Sequence, residues 1–161
     1  MLALCKYVIL HLMKRSANKS HCPVNFALEA FGDTWSLLIV RDIVFWGKRT
    51  YSEFLDSGEG IATNVLATRL VQLEQKGILS REPHPGDRRK EMYTLTEKGL
   101  ALIPILLEMS GWSAQYDPQT TAPQQFVAAV YADREKMFRL VQDTVRRGGS
   151  LFGGEKKLVE R

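Results

Sequence analysis

The sequence has little of what a disulfide-stapled or membrane-spanning chain needs. Its 161 residues include only two cysteines, Cys5 and Cys22, too few for a disulfide framework and consistent with the reducing cytoplasm. No apolar run approaches the roughly 18 to 20 residues of a membrane-spanning helix. The apolar stretch from Leu2 to Met13 lacks a basic segment before it and a small-residue cleavage site after it, which argues against a signal peptide.

Motifs of catalysis and metal binding are also missing. We find no phosphate-binding glycine loop, no nucleophile beside a base and no recognisable pair of acids. The three histidines, His11, His21 and His84, are scattered, and His21 beside Cys22 lacks the spacing of a metal site. The sequence therefore predicts no enzyme, no metal and no cofactor.

The composition fits one globular domain with appended helices. Hydrophobic residues make up 45% of the chain and charged residues 25%. The net charge of +4 and the isoelectric point near 9.1 favour an anionic partner, although proteins that never touch nucleic acid share this balance.

One helix with a polar face is the clearest pattern in the chain. Leu66, Leu70 and Leu73 recur at the spacing of one helical face and Gly77 suits a C-cap, which predicts a helix over residues 62–76. The opposite face carries short side chains: Thr63, Asn64, Ala67, Thr68 and Val71. Such a face fits into a major groove, where Asn and Thr hydrogen-bond base edges and Ala or Val meets a thymine methyl group.

A basic hairpin follows this helix directly. One strand is predicted from Ile78 to Glu82, and a second ends near Leu95. Pro85-Gly86 between them predicts a type II turn, because Pro fixes a negative φ and Gly accepts the positive φ that follows. The cations beside the tip are Arg88, Arg89 and Lys90. Residues 78–95 are therefore predicted to be a wing on the minor groove or backbone of DNA, with a merely solvated hairpin tip as the alternative.

The residues before the polar helix complete a helix-turn-helix. Thr50 and Glu53 have the spacing of a capping box, which predicts a short helix there. The glycines of residues 57–60 permit a tight turn into the next helix. The predicted fold class is mostly α with a small β-hairpin wing (α+β), a winged helix-turn-helix. The family resemblance described below adds flanking dimerisation helices to this fold. Lys48 and Arg49, in the basic turn just before it, are weaker candidates for phosphate contact.

Further helices are predicted upstream of this unit. Pro23 suits a first helical position, and Gly32 ends that helix. Asp33 or Thr34 then caps a second helix, which closes at Gly47.

Downstream of the wing, a long helix is predicted from Thr96 to about Tyr116, with a kink or a break at Pro104. A last helix is expected over residues 124–147. The large aromatic residues on the apolar stripes are expected in the core, with an effector pocket at a dimer interface as the alternative for some of them: Trp35, Trp46, Phe54 and Trp112.

The predicted organisation has four parts: an N-terminal extension or dimerisation arm (residues 1–21), a winged-helix domain (22–117), a C-terminal helix (118–147) and a flexible tail (148–161). Two alternatives stand for residues 1–12, which are either part of the arm or upstream sequence ahead of a natural start at Met13.

Four segments of the chain carry a family resemblance. They are Cys22-Pro23-Val24 and residues 32–42, 69–77 and 93–99. In this order and spacing they resemble the HxlR-type winged helix-turn-helix transcriptional regulators, distant relatives of the MarR group. The similarity covers residues 22–116, and the helix after Pro123 lies beyond it.

The resemblance implies a bacterial or archaeal regulator that binds operator DNA as a homodimer. Recognition helices would enter successive major grooves, with the wings on flanking minor grooves or phosphates. Dimerisation would use the segment before Asp33 and the helix after Thr96. The implied partners are double-stranded DNA, a second copy of the chain and a small-molecule or oxidant effector, with no membrane.

The candidate DNA-contacting residues combine these patterns: Thr63, Asn64, Ala67, Thr68 and Arg69 on the helix, Arg88, Arg89 and Lys90 in the wing, and Lys48 and Arg49 before them. Ala62 stands where the family often has Ser or Thr, so Thr63 is the alternative helix cap. Arg69 has two alternatives, a phosphate contact or an ion pair with Glu53 or Glu74.

Cys22 precedes a predicted helix N-terminus and follows His21. Backbone dipoles there stabilise a thiolate, and some HxlR-type regulators sense electrophiles or oxidants through a cysteine at this position. Cys22 is thus a candidate redox sensor, with a small core residue as the alternative.

For the whole chain, the alternative to a DNA-binding regulator is a winged-helix module used for protein assembly.

Overall fold

The computed structural model describes residues 21–154 and 156–158. Residues up to Gly32 belong to one compact unit and residues from Asp33 onward to another. The predictions for the N-terminal arm and for a start at Met13 fall outside the described residues, as does Cys5. Within the described ranges, we find no helix with the length and apolar character needed to cross a bilayer.

In the first unit, helix α1 spans Pro23–Phe31. Proline occupies its first turn and the Gly32 amide donates to the Leu28 carbonyl at 2.9 Å, which confirms the predicted start and end. Most of its large apolar side chains are exposed, including Phe26.

The second unit begins with helix α2, Thr34–Arg41. The Asp33 carboxylate caps it by accepting the Trp35 and Ser36 amides at 2.9 and 3.0 Å. Helix α2 runs directly into a π-helical turn, Asp42–Trp46, which Gly47 closes at a φ of 72°. The helix was predicted, but the change from α to π winding was not.

Helices α3 and α4 form the helix-turn-helix. Helix α3 spans Tyr51–Leu55 and begins with the predicted capping box of Thr50 and Glu53. Helix α4 spans Thr63–Gln75 and buries Leu66, Leu70 and Leu73, as their spacing predicts. It is followed by Gly77 at a φ of 67°.

The wing consists of β1, Leu79–His84, and β2, Asp87–Leu95, paired antiparallel. The predicted type II turn at Pro85-Gly86 is wrong, because Gly86 does not adopt a positive φ. Instead, the His84 imidazole accepts the Gly86 amide at 3.1 Å and shapes the turn locally.

After the wing, helix α5 spans Glu97–Leu100 and helix α6 spans Ile103–Tyr116. Pro104 lies in the first turn of α6, so the predicted break is confirmed.

The single C-terminal helix predicted over residues 124–147 is wrong. Two helices are present, α7 at Gln124–Ala132 and α8 at Arg134–Arg146. Asp133 separates them with a φ of −154°, and its carboxylate accepts the Lys136 amide at 3.0 Å to cap α8. The capping preference of aspartate outweighs the continuity of the apolar pattern.

The segment after α8 packs against the π-helical turn. The Leu151 amide donates to the Val44 carbonyl at 2.9 Å, and the Phe152 amide donates to the Phe45 carbonyl at 2.8 Å. The Leu151 side chain is completely buried. These contacts attach residues 151 and 152 to the π-helical turn that precedes the helix-turn-helix.

The aromatic residues predicted to be core divide into three groups. Phe54 is buried, which confirms its prediction, and Trp35 and Trp46 are half-buried. Trp112 is 64% exposed, so its placement in the core was wrong.

Candidate nucleic-acid interface

The exposed face of α4 is the one its sequence pattern predicts. Thr63, Asn64, Ala67 and Thr68 are all exposed. The Tyr51 hydroxyl donates to the Thr63 carbonyl at 2.8 Å and thereby ties α3 to the first turn of α4. The start of α4 is thus held in place while its outward side chains remain accessible.

Two residues on this face offer hydrogen-bonding groups to a base edge. The Asn64 amide presents a donor and an acceptor, the combination that pairs with adenine in the major groove. The Thr68 hydroxyl donates to the Asn64 carbonyl at 2.8 Å, so its oxygen lone pairs remain available as acceptors. The Ala67 methyl group is suited to a thymine methyl group.

Arg69 points back towards the protein. Its Nη1 donates to Gln72 Oε1 at 2.6 Å, and its Nε lies 3.2 Å from Asp33 Oδ1 as an ion pair without hydrogen-bond geometry. The acid beside Arg69 is therefore Asp33, at the cap of α2. Burial alone would raise the pKa of the Asp33 carboxyl, but hydrogen bonds from Trp35 and Ser36 lower it below its usual value.

The cations of the wing are exposed. Arg89 is bound to Asp87 through contacts of 3.0 and 3.2 Å, and these hydrogen bonds lower the pKa of the Asp87 carboxyl. The Arg88 guanidinium makes no ion pair with any part of the chain that the structure describes. Arg88 and Lys90 therefore present positive charge outward beside the turn.

The wing is fastened to the helix-turn-helix at two places. Arg81 of β1 lies 3.4 Å from Glu74 of α4. On the other side of the hairpin, Thr50 pairs with Met92, and the Tyr93 amide donates to the Arg49 carbonyl at 2.7 Å. The structure thus joins α3, α4 and the wing into one framework.

Lys48 and Arg49 are engaged inside the protein. The Lys48 ammonium donates to Ser57 Oγ at 2.8 Å and lies 3.4 Å from the buried Asp42 carboxylate. The Arg49 guanidinium lies 3.4 Å from the Gly149 carbonyl, and burial lowers its pKa. Lys48 therefore contacts the turn between α3 and α4, and Arg49 contacts the segment after α8.

One ion pair at the helix-turn-helix was missed by sequence reasoning. Arg41 at the end of α2 donates to both carboxylate oxygens of Glu59, with Nη2 2.9 Å from Oε2. The hydrogen bond from Arg41 lowers the pKa of Glu59 to about 2. These residues are 18 positions apart, and no local pattern relates them.

Two features lie outside α4 and the wing. Cys22 is exposed at the N-cap of α1, which does not fit the alternative of a core residue. On α6, exposed apolar side chains follow one stripe of the helix: Ile105, Met109, Trp112 and Tyr116.

The chain is similar to known transcription regulators. The model of the HxlR-like helix-turn-helix family matches residues 30–121, more than half of the sequence. A curated relative, an uncharacterised HTH-type transcriptional regulator of Synechocystis sp., is 34% identical over 58% of this chain and 72% of its own length.

Solved structures agree with the family match. The reduced form of the transcriptional regulator YodB from Bacillus subtilis aligns with a TM-score of 0.50 and 32% identity, over 63% of this chain and 99% of YodB. The redox regulator HypR in its oxidised form aligns with a TM-score of 0.52 and 31% identity, over 58% of this chain and 96% of HypR. The protein thus belongs to the HxlR-like helix-turn-helix family of transcriptional regulators.

Proposed function

We propose that this protein is a transcriptional regulator that binds operator duplex as a homodimer, with α4 in the major groove and the wing, residues 78–95, on the minor groove or backbone. The observation that carries the proposal is the exposed face of α4, which offers Asn64, Ala67 and Thr68 next to a wing with outward cations. Residues 22–117 are the proposed DNA-binding part.

The proposed contacts fall into two classes. Thr63, Asn64, Ala67 and Thr68 read bases, and the wing residues Arg88, Arg89 and Lys90 contact phosphates or the minor groove. We give a supporting role to Arg69, Lys48 and Arg49, because their charges meet acids or carbonyl groups inside the protein.

A homodimer is supported by the exposed apolar stripe on α6. Monomeric surfaces rarely leave several large apolar side chains in one row, and Trp112 and Tyr116 are 64% and 61% exposed. Helix α1 also exposes Val24, Phe26 and Leu28. We propose that both elements are covered by the second copy. Binding to two half-sites would require the two copies of α4 to lie one helical turn of DNA apart.

Redox control through Cys22 is part of the proposal. Cys22 is exposed at the N-cap of a nine-residue helix, and exposure is one of the properties that make a cysteine susceptible to oxidation. The similarity to HypR, a redox regulator, supports this role.

The proposed action of the protein is binding, not catalysis. Its proposed location is the cytoplasm, where DNA is accessible and thiols are kept reduced.

Fluorescence anisotropy on a duplex from the region upstream of the gene and on a scrambled duplex, at several salt concentrations, tests the proposal. We expect binding to the native sequence to be tighter by about a thousandfold or more, with a steep salt dependence on both duplexes. If neither duplex binds near physiological salt, the wing instead contacts protein, and the chain is an assembly module.

A further inference from the structure

A cavity of about 750 Å³ lies within the second unit, away from the exposed face of α4. Its walls come from α2, the π-helical turn, α6 and residues 120–126, and Phe152 in the segment after α8 also lines it. This volume lies in the range of clefts and cavities that bind drug-sized ligands. The lining includes Phe126 and Phe152, which lie beyond the residues matched by the family model.

One wall of the cavity is aromatic. The Phe152 ring lies 5.7 Å from Phe45, 5.8 Å from Trp46 and 5.2 Å from Phe126, measured between ring centroids, and two of these contacts are edge-to-face. The Phe152 amide donates to the Phe45 carbonyl at 2.8 Å, which holds the backbone of Phe152 against the π-helical turn. Aromatic faces and edges held in this way suit a planar aromatic ligand.

The charged residues that line the cavity balance one another. Arg41 and Lys48 line it together with Asp42 and Glu59. Arg41 is paired with both acids, and Lys48 lies 3.4 Å from Asp42. Two cations are thus offset by two anions, and burying a charged ligand there would leave that ligand without a counter-ion.

The remaining polar lining consists of hydroxyl groups. Ser113 on α6 and Thr121 in the loop before α7 are both part of the cavity lining. Hydroxyl groups can donate to or accept from a carbonyl, hydroxyl or amine substituent of a ligand. The cavity therefore matches an uncharged aromatic compound that carries a hydrogen-bonding substituent.

We propose that this cavity binds an uncharged, planar aromatic compound of about bicyclic size, and that occupancy changes the affinity for DNA. Gly58 and Glu59 belong both to the cavity lining and to the turn between α3 and α4. A ligand that displaces this turn alters the position of α4. The second half of the proposal rests on the proposed function, whereas binding to the cavity does not.

The first test is a titration of the full chain without DNA, using 1-naphthylamine, an uncharged, planar, bicyclic aromatic amine whose fluorescence shifts to shorter wavelength in apolar surroundings. We expect saturable binding of one dye per chain. Ser113→Phe places a ring inside the cavity and should weaken binding by about tenfold or more. Thr121→Trp, in an exposed loop where a bulky residue does not disturb a helix, should also weaken binding.

Two matched variants separate the cavity from other apolar surfaces. Ala128→Phe adds the same ring as Ser113→Phe on an exposed position of α7, and Trp112→Ala removes the largest side chain of the exposed α6 stripe. Both should bind dye like the unmodified protein. Absence of saturable binding, or binding that depends on Trp112 but not on Ser113 and Thr121, would overturn the proposal.

The second test repeats the operator titration with the dye at saturation. We expect the dissociation constant for DNA to change by about fivefold or more, the usual lower size of an allosteric coupling. A change below twofold would overturn the regulatory half. If the protein binds no DNA with or without dye, the proposed function fails, while the dye titrations still decide whether the cavity is a binding site.

Discussion

Arg41 and Glu59 join the end of α2 to the turn of the helix-turn-helix through two parallel hydrogen bonds, one of them 2.9 Å long. Beside them, the buried Asp42 carboxylate accepts the Ser57 hydroxyl and lies 3.4 Å from the Lys48 ammonium. The turn that leads into α4 is therefore held by two adjacent polar contacts. Removing either should loosen the placement of α4 without changing its exposed side chains.

Glu59→Gln should make stability less sensitive to acid. The hydrogen bond from Arg41 holds the pKa of Glu59 at about 2, below its ordinary value of 4.5. A lowered folded-state pKa adds stability that is complete above about pH 5 and is lost as the pH falls from about 4.5 towards 2. Urea unfolding at several pH values should show the unmodified protein to be the more stable one at pH 7, with the difference shrinking across this window.

The difference in unfolding free energy between the two proteins can change with pH only up to a limit. One full proton corresponds to about 1.4 kcal/mol per pH unit. The Glu59 side chain is 39% exposed, so solvent screening should keep the measured slope well below that limit. Asp56→Asn, which removes an exposed carboxylate from the same turn, is the control. Parallel pH profiles for the protein and its Glu59→Gln variant would show that the ion pair adds no stability.

Asn64→Ala tests base reading by α4. The change should cost roughly 1 to 3 kcal/mol of binding on the operator and much less on random duplex, since only the operator presents the matching base edge. Gln75→Ala, at the far end of the same helix, should leave both affinities unchanged. Equal losses on the two duplexes would show that Asn64 reads no base.

Arg88→Ala tests the wing. A side chain that neutralises one phosphate should lower the salt slope of binding by about one unit, on specific and random duplex alike. Arg139→Ala removes an exposed arginine from α8 and serves as the charge-matched control. An unchanged slope for Arg88→Ala would place this guanidinium in solvent.

Features that depend on neighbouring residues could be predicted from the sequence. The leucines on the buried face of α4, the capping box at Thr50 and the break near Pro104 each depend on spacings of a few residues. The break at Asp133 was missed because the apolar pattern continues across it. Contacts with Arg134 consolidate that break, since its guanidinium lies 4.4 Å from the Tyr131 ring centroid and pairs with Glu108 of α6.

Long-range features could not be predicted in this way. The pairing of Arg69 with Asp33 depends on how α2 and α4 pack, which no local spacing encodes. The exposure of Trp112 could not be predicted either, because it depends on what packs against α6. An apolar helical stripe shows that a surface is to be covered, but it does not tell whether the same chain covers it.

Cys22→Ser tests redox control. Hydrogen peroxide oxidises a thiolate to a sulfenic acid, so we expect the unmodified protein to release its operator on treatment and to bind again after reduction. The serine variant should bind the operator normally and ignore the oxidant, while Cys5→Ser should respond like the unmodified protein. Release of DNA by oxidised Cys22→Ser would exclude Cys22 as the sensor.

Trp112→Glu tests the dimer and its link to DNA binding. Trp112 lies at the centre of the exposed α6 stripe, and a carboxylate buried there against a second copy would lack a partner. Sedimentation velocity should therefore show a shift from dimer to monomer. Because each monomer then binds one half-site alone, operator affinity should fall by about a hundredfold or more.

The control for this variant is Gln125→Glu, which adds the same charge at an exposed position of α7 and should leave the protein dimeric. A Trp112→Glu variant that remains dimeric would show that α6 does not form the interface, and a monomeric variant with unchanged affinity would show that the protein binds DNA one copy at a time.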